Sequence, residues 1–120
     1  MRSGVAIVDD ETDLVSLFSK MLELKGIKVS FTAYEGRDAV SQFREHNPKP
    51  QIVLMDYRLP TINGIETMKE MLELDGGTKF IFISADASVM EEAMNNGAVM
   101  FLVKPVTMRD VIDAVEKVAK

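Results

Sequence analysis

Apolar residues fall along this chain in two alternating rhythms. Short, nearly continuous runs read as five strands: VAIV at Val5–Val8, IKVSF at Ile27–Phe31, QIVLM at Gln51–Met55, KFIFIS at Lys79–Ser84 and VMFLV at Val99–Val103. Four of the runs are almost unbroken in apolar side chains, as parallel strands covered on both faces should be. The second carries Lys28 and Ser30 at alternate positions and suits an edge. Between the runs, apolar residues recur at three-and-four spacing: Leu14, Leu17, Phe18, Met21 and Leu22; Ala39, Val40 and Phe43; Ile65, Met68 and Leu72; Val89, Ala93 and Met94; Met108, Val111, Ile112, Val115 and Val118. Gly26 and Gly97 are expected just past helix ends, NPKP (Asn47–Pro50) closes the second helix, and DGG (Asp75–Gly77) follows the third.

Five strands alternating with five helices predict an α/β fold with a parallel sheet, whose ligand crevice lies at the carboxyl ends of the strands. The polar residues that terminate the strands are therefore the candidates. Strand one ends in Asp9 and Asp10, strand three in Asp56, strand four in Ser84 and strand five in Lys104. Each alone has an ordinary explanation, because Asp and Ser favour turns and helix N-caps. Together they place three carboxylates, a hydroxyl and an ammonium on one edge. Like charges 4 Å apart repel by roughly 4 kcal/mol at an effective dielectric near 20, so clustered carboxylates must bind protons or a cation. Hard oxygen donors with no histidine or thiolate nearby suit Mg²⁺ (or Mn²⁺). Lys104 can neutralise a phosphoryl oxygen, Ser84 can donate a hydrogen bond to another, and a carboxylate can act as the nucleophile.

Composition narrows the setting. The 120 residues fit one domain, spanning 1–120, with no internal repeat or linker. The absence of cysteine removes disulfides and thiolate metal sites and fits a reducing compartment. A net charge of −5 argues against direct nucleic-acid or anionic-membrane binding. No apolar run approaches the roughly 20 residues of a bilayer span, and strand-like sequence begins at Val5, so no signal peptide is expected. The expectation is a soluble, cytoplasmic protein.

The motifs IVDDE, VLMDYRLPTINGIE (Val53–Glu66), FISA (Phe82–Ala85) and NNGAVMFLVKP (Asn95–Pro105) occur in an order and spacing that resemble the receiver domain of two-component response regulators, in its chemotaxis-type form. The resemblance covers essentially the whole chain. It implies a flavodoxin-like, doubly wound five-stranded parallel sheet in the order 2-1-3-4-5, with five helices. It further implies a switch rather than a metabolic enzyme. Such a switch catalyses its own phosphorylation and slow dephosphorylation, taking a phosphoryl group from a histidine kinase or phosphotransfer protein. By the same resemblance Asp56 is the phosphoacceptor. Asp10 binds the metal directly, Asp9 largely through water, and Arg58 through its backbone carbonyl. Ser84 and the backbone N–H of Ala85 contact the phosphoryl group, Lys104 pairs with it, and the bond to Pro105 is cis. Gly64 sits at a tight turn into the third helix. Phosphorylation draws in Ser84 and Lys104 and repositions Phe101, altering the face of helix four, strand five and helix five where relatives bind targets.

Several positions stay open. Phe101 occupies an aromatic switch position where tyrosine is common, or is a plain core aromatic without a hydroxyl to exchange. Arg58 and Asp86 fall where the family tunes phosphoryl lifetime. Their opposite charges allow a pair across the mouth of the site; two separate solvated side chains are the alternative. His46, in REHNP, reads as a polar residue closing a helix and not as a phosphodonor. Met90, Met94 and Met108 are core fillers or an adaptable contact surface. An aspartate-nucleophile phosphatase needs a second aspartate two residues after the first, where Arg58 stands. A nucleotide or flavin module needs phosphate-cradling glycines that DDETD lacks.

Overall fold

The apolar runs form β1 (Val5–Val8), β2 (Val29–Ala33), β3 (Ile52–Met55), β4 (Lys79–Ser84) and β5 (Met100–Val103), alternating with α1 (Thr12–Leu24), α2 (Gly36–Glu45), α3 (Gly64–Leu74), α4 (Met90–Asn95) and α5 (Met108–Ala119). The computed structural model describes residues 2–120. All strand pairs are parallel, and the sheet runs β2-β1-β3-β4-β5, a flavodoxin-like α/β arrangement. Side chains alternate across a strand, so an unbroken apolar run supplies two layers at once. Ala6, Val8, Val53, Met55, Phe80 and Phe82 pack toward α2, α3 and α4. Their neighbours Val5, Ile7, Ile52, Leu54, Ile81 and Ile83 pack toward α1 and α5.

Two strands differ from expectation. β2 begins at Val29, later than the predicted Ile27, because Ile27 donates its N–H to the carbonyl of Leu22 (2.9 Å) and thereby caps α1. It is an edge strand, as its polar positions indicated. β5 is only partly covered on its two faces. It forms the opposite edge, beyond which no strand packs among the described residues; Met100, Phe101 and Leu102 are half-buried and Val103 is exposed. The fourth helical segment is a 3-10 turn (Ala87–Val89) followed by the six residues of α4. Gly26 and Gly97 take positive φ just past α1 and α4. The bonds Asn47–Pro48 and Lys104–Pro105 are cis.

The turn from β3 into α3 returns against its own start. Gly64 donates its N–H to the Tyr57 carbonyl (2.8 Å), and a Cβ at Gly64 would lie 2.0 Å from the carbonyl oxygen of Asp56. Backbone, not a flexible side chain, stands in the way, so Gly64→Ala must displace the end of β3. The substitution should cost about 1–3 kcal/mol, the usual scale of overpacking, read as a lower urea midpoint with an unchanged m-value.

Candidate functional site

The carboxyl ends of β1 and β3 lie side by side, with Val8 paired to Met55. The next residue on each strand is an aspartate, and both are fixed by main chain. Asp9 donates its N–H to the Ala33 carbonyl (3.1 Å), and Asp56 donates to Val8 (3.0 Å). Their side chains are oriented by local amides: Glu11 N–H donates to Asp9 Oδ1 (2.9 Å) and Tyr57 N–H to Asp56 Oδ1 (2.7 Å). Asp9 and Asp56 are buried, at 2% and 6% relative exposure.

Lys104 enters from the end of β5, where its backbone N–H donates to the Ser84 carbonyl (2.9 Å). Its Nζ donates to Asp9 Oδ2 (2.9 Å), Glu11 Oε1 (2.8 Å) and Asp56 Oδ2 (3.2 Å). An ammonium has three donors, so all are used. Burial alone would lower the Lys104 pKa, but the bonds to Glu11 and Asp9 and the charge of Asp56 outweigh it and hold the ammonium above the ordinary lysine range. Asp9 moves the other way from a typical paired acid. Burial raises its pKa and the Asp56 charge adds to the rise, against the lowering bonds from Glu11 N–H and Lys104. One cation among three carboxylates leaves the cluster two charges negative if all three are ionised.

That surplus, and a donor set made only of carboxylate oxygens, fit a hard divalent cation. Among the described residues, Asp9, Glu11 and Asp56 offer oxygens within 4.8 Å of one another. Asp10 is exposed and outside this group. Glu11 was missed in the sequence, although IVDDE carries the signal: glutamate is not among the favoured N-cap residues, yet Glu11 is the N-cap of α1 and makes no side-chain bond to that helix.

Ser84 is buried at the end of β4, and its Oγ accepts from the Asp86 N–H (3.2 Å). Ala85 is exposed beside it. Together with Glu11, Leu14, Lys104, Pro105 and Val106, Ala85 borders an open cleft of about 410 Å³. Arg58 and Asp86 do form an ion pair, Nη2 to Oδ2 at 3.0 Å, with the arginine mostly exposed and the aspartate mostly covered. Asp86 is lowered from its usual pKa first by the hydrogen bonds from the Ser88 side chain and amide, with Arg58 contributing. Phe101 is half-buried and stacks on Phe82, centroids 5.9 Å apart and planes 8° from parallel. Met90 and Met94 are exposed and Met108 is half-buried. His46 closes α2 at the opposite edge of the sheet, its Nδ1 placed to donate to the Gln42 carbonyl (2.7 Å).

Residues 5–116 match the family profile of the response regulator receiver domain. The chemotaxis protein CheY of Thermotoga maritima is 36% identical over 122 aligned residues, covering 100% of both chains. CheY of Bacillus subtilis is 32% identical over 119, covering 98% of each. Among solved structures, a CheX–CheY–BeF3–Mg²⁺ complex from Borrelia burgdorferi superposes with a TM-score of 0.91 at 29% identity, over 98% of this chain and 90% of that one. The profile match and the full-length identities agree with the sheet order and with the acidic strand ends. The chain belongs to the response regulator receiver family of two-component systems.

Proposed function

We propose that this chain is a phosphorylation-dependent signalling receiver, comprising residues 1–120, that accepts a phosphoryl group on Asp56 from a histidine kinase or phosphotransfer protein. The observation that carries this reading is the convergence of Asp9, Asp56 and Lys104 at the strand ends, with Asp56 fixed by two main-chain hydrogen bonds. An Asp56 carboxylate oxygen attacks phosphorus. The bond from phosphorus to the donor nitrogen breaks, and the electron pair leaves with the imidazole. Lys104 then neutralises a phosphoryl oxygen, and Ser84 and the Ala85 N–H donate to others. Asp9, Asp10, Asp56 and the Arg58 carbonyl are the residues assigned to hold Mg²⁺ (or Mn²⁺); the Glu11 carboxylate lies beside them and is bonded to Lys104. When bound, the ion supplies charge neutralisation to the transferring group.

The signal leaves through the face of α4, β5 and α5. Movement of Ser84 and Lys104 toward the phosphoryl group strains the β4–α4 loop and the Phe82–Phe101 stack, favouring a second arrangement of that face. Its target is a protein. The Borrelia relative was captured with CheX in the presence of BeF3 and Mg²⁺, which supports partner binding in an activated form. Among the described residues no helix is long and apolar enough to cross a membrane, and this role places the chain in the cytoplasm.

Acetyl phosphate with Mg²⁺ should add one phosphoryl group to the wild type, detected by intact mass, and none to Asp56→Asn or after chelation. An equal gain on Asp56→Asn would remove the acceptor assignment. In this reading the Arg58–Asp86 pair restricts the approach of hydrolytic water. Arg58→Ala and Asp86→Ala should each speed autodephosphorylation by about two- to five-fold, the scale of one exposed ion pair. Unchanged decay of the phosphorylated protein in both variants would end that role.

A further inference from the structure

The Lys104 ammonium has no donor to spare. If it is to meet a phosphoryl oxygen, one of its three bonds must open, and the three are not equally held. The Asp9 carboxylate is buried and pinned by the Glu11 amide, and Asp56 is buried and becomes the site of modification. The Glu11 side chain is 61% exposed and has no other hydrogen bond among the described residues. It is also placed against local preference. At the N-cap of α1 a Ser, Thr, Asp or Asn would satisfy the helix amides, whereas the glutamate leaves them uncapped and reaches 93 residues along the chain to Lys104. A local rule broken at a functional edge signals a residue kept for something other than stability.

We propose that Glu11 is a positioning residue that holds Lys104 in the resting protein and releases it when the phosphoryl group arrives. The Glu11–Lys104 pair is a latch on phosphorylation: it favours the unmodified state and must be broken to complete the modified one. This rests on the assignment of Asp56 as acceptor. Glu11 contacts no reacting atom in this role; it acts through Lys104.

The test compares wild type with Glu11→Ala and Glu11→Ser, the latter able to cap α1 and so to keep the helix start intact. With acetyl phosphate at saturating Mg²⁺, both variants should be phosphorylated faster than wild type, by up to about five-fold. The ε-methylene and ammonium NMR signals of Lys104 in unmodified Glu11→Ser should move toward the positions they take in wild type saturated with beryllofluoride and Mg²⁺. Mg²⁺ affinity, titrated through intrinsic tyrosine fluorescence, should change less than ten-fold. An unchanged or slower rate, Lys104 signals unmoved by the substitution, or a loss of Mg²⁺ affinity of ten-fold or more would each overturn the latch, the last by making Glu11 a metal ligand instead. Failure of the wild type itself to gain a phosphoryl group on Asp56 would count against the parent assignment, and is read separately.

Discussion

One ammonium shared by three carboxylates is the interaction on which this molecule turns. Asp9 and Asp56 are buried, and a buried carboxylate without a partner is among the most costly groups a fold can hold. Lys104 is that partner, delivered across 95 residues of sequence from Asp9. The delivery works only in a sheet ordered β2-β1-β3-β4-β5, in which β1 and β3 are neighbours and β5 lies two strands beyond. The two apolar layers cover the faces of that sheet, and the charge cluster links the edge strand β5 back to the centre. Packing and chemistry are thus coupled, and loss of Lys104 would leave two buried acids facing each other.

Stiffness is distributed to match. Asp56 is held from behind by Val8, from the side by the Tyr57 amide, and from below by the close approach of Gly64. Both Asp56 carboxylate oxygens are engaged, Oδ1 by the Tyr57 amide and Oδ2 by Lys104. The segment after β4 is different. Ser84 is buried, but Ala85, Ala87 and Ser88 are exposed, and Asp86 is stabilised by bonds to Ser88 and Arg58 rather than by burial in the core. On the proposed function, a new dianion on the firmly held Asp56 would act on the more exposed segment after β4 and not on the attacking group.

Much of this was legible from residue types in order. Continuous apolar runs gave a parallel sheet because alternate side chains serve opposite layers, and the strand-end rule then brought Asp9, Asp56, Ser84 and Lys104 to one edge. The differences have physical causes. Ile27 is as apolar as any strand residue, but its amide is spent on the end of α1, a competition that periodicity cannot register. β5 looks as apolar as β4, yet among the described residues nothing pairs with its outer side, and edge position depends on the whole winding. Asp10 and Glu11 follow Asp9 in turn, but the helix that starts at Thr12 leaves Asp10 facing solvent and the longer Glu11 side chain within reach of Lys104. Side-chain reach across a crevice is a three-dimensional property, and no spacing rule along the chain encodes it.

The charge count gives the proposed metal binding a thermodynamic ground as well as a catalytic one. The resting cluster carries a surplus of two negative charges if Asp9, Glu11 and Asp56 are all ionised against Lys104. Replacing the Asp56 carboxylate with an acyl phosphate of charge near −2 adds about one more negative charge, in a place where burial already raises the pKa of Asp9. Releasing Lys104 from Glu11 directs the available ammonium toward the new charge but does not change the total. Only an added cation or protonation of a carboxylate can do that. Protonating Asp9 would remove an oxygen donor from the group assigned to the cation. A divalent ion lowers the surplus to about one and leaves every donor in place, so at neutral pH it is the route this arrangement of residues favours.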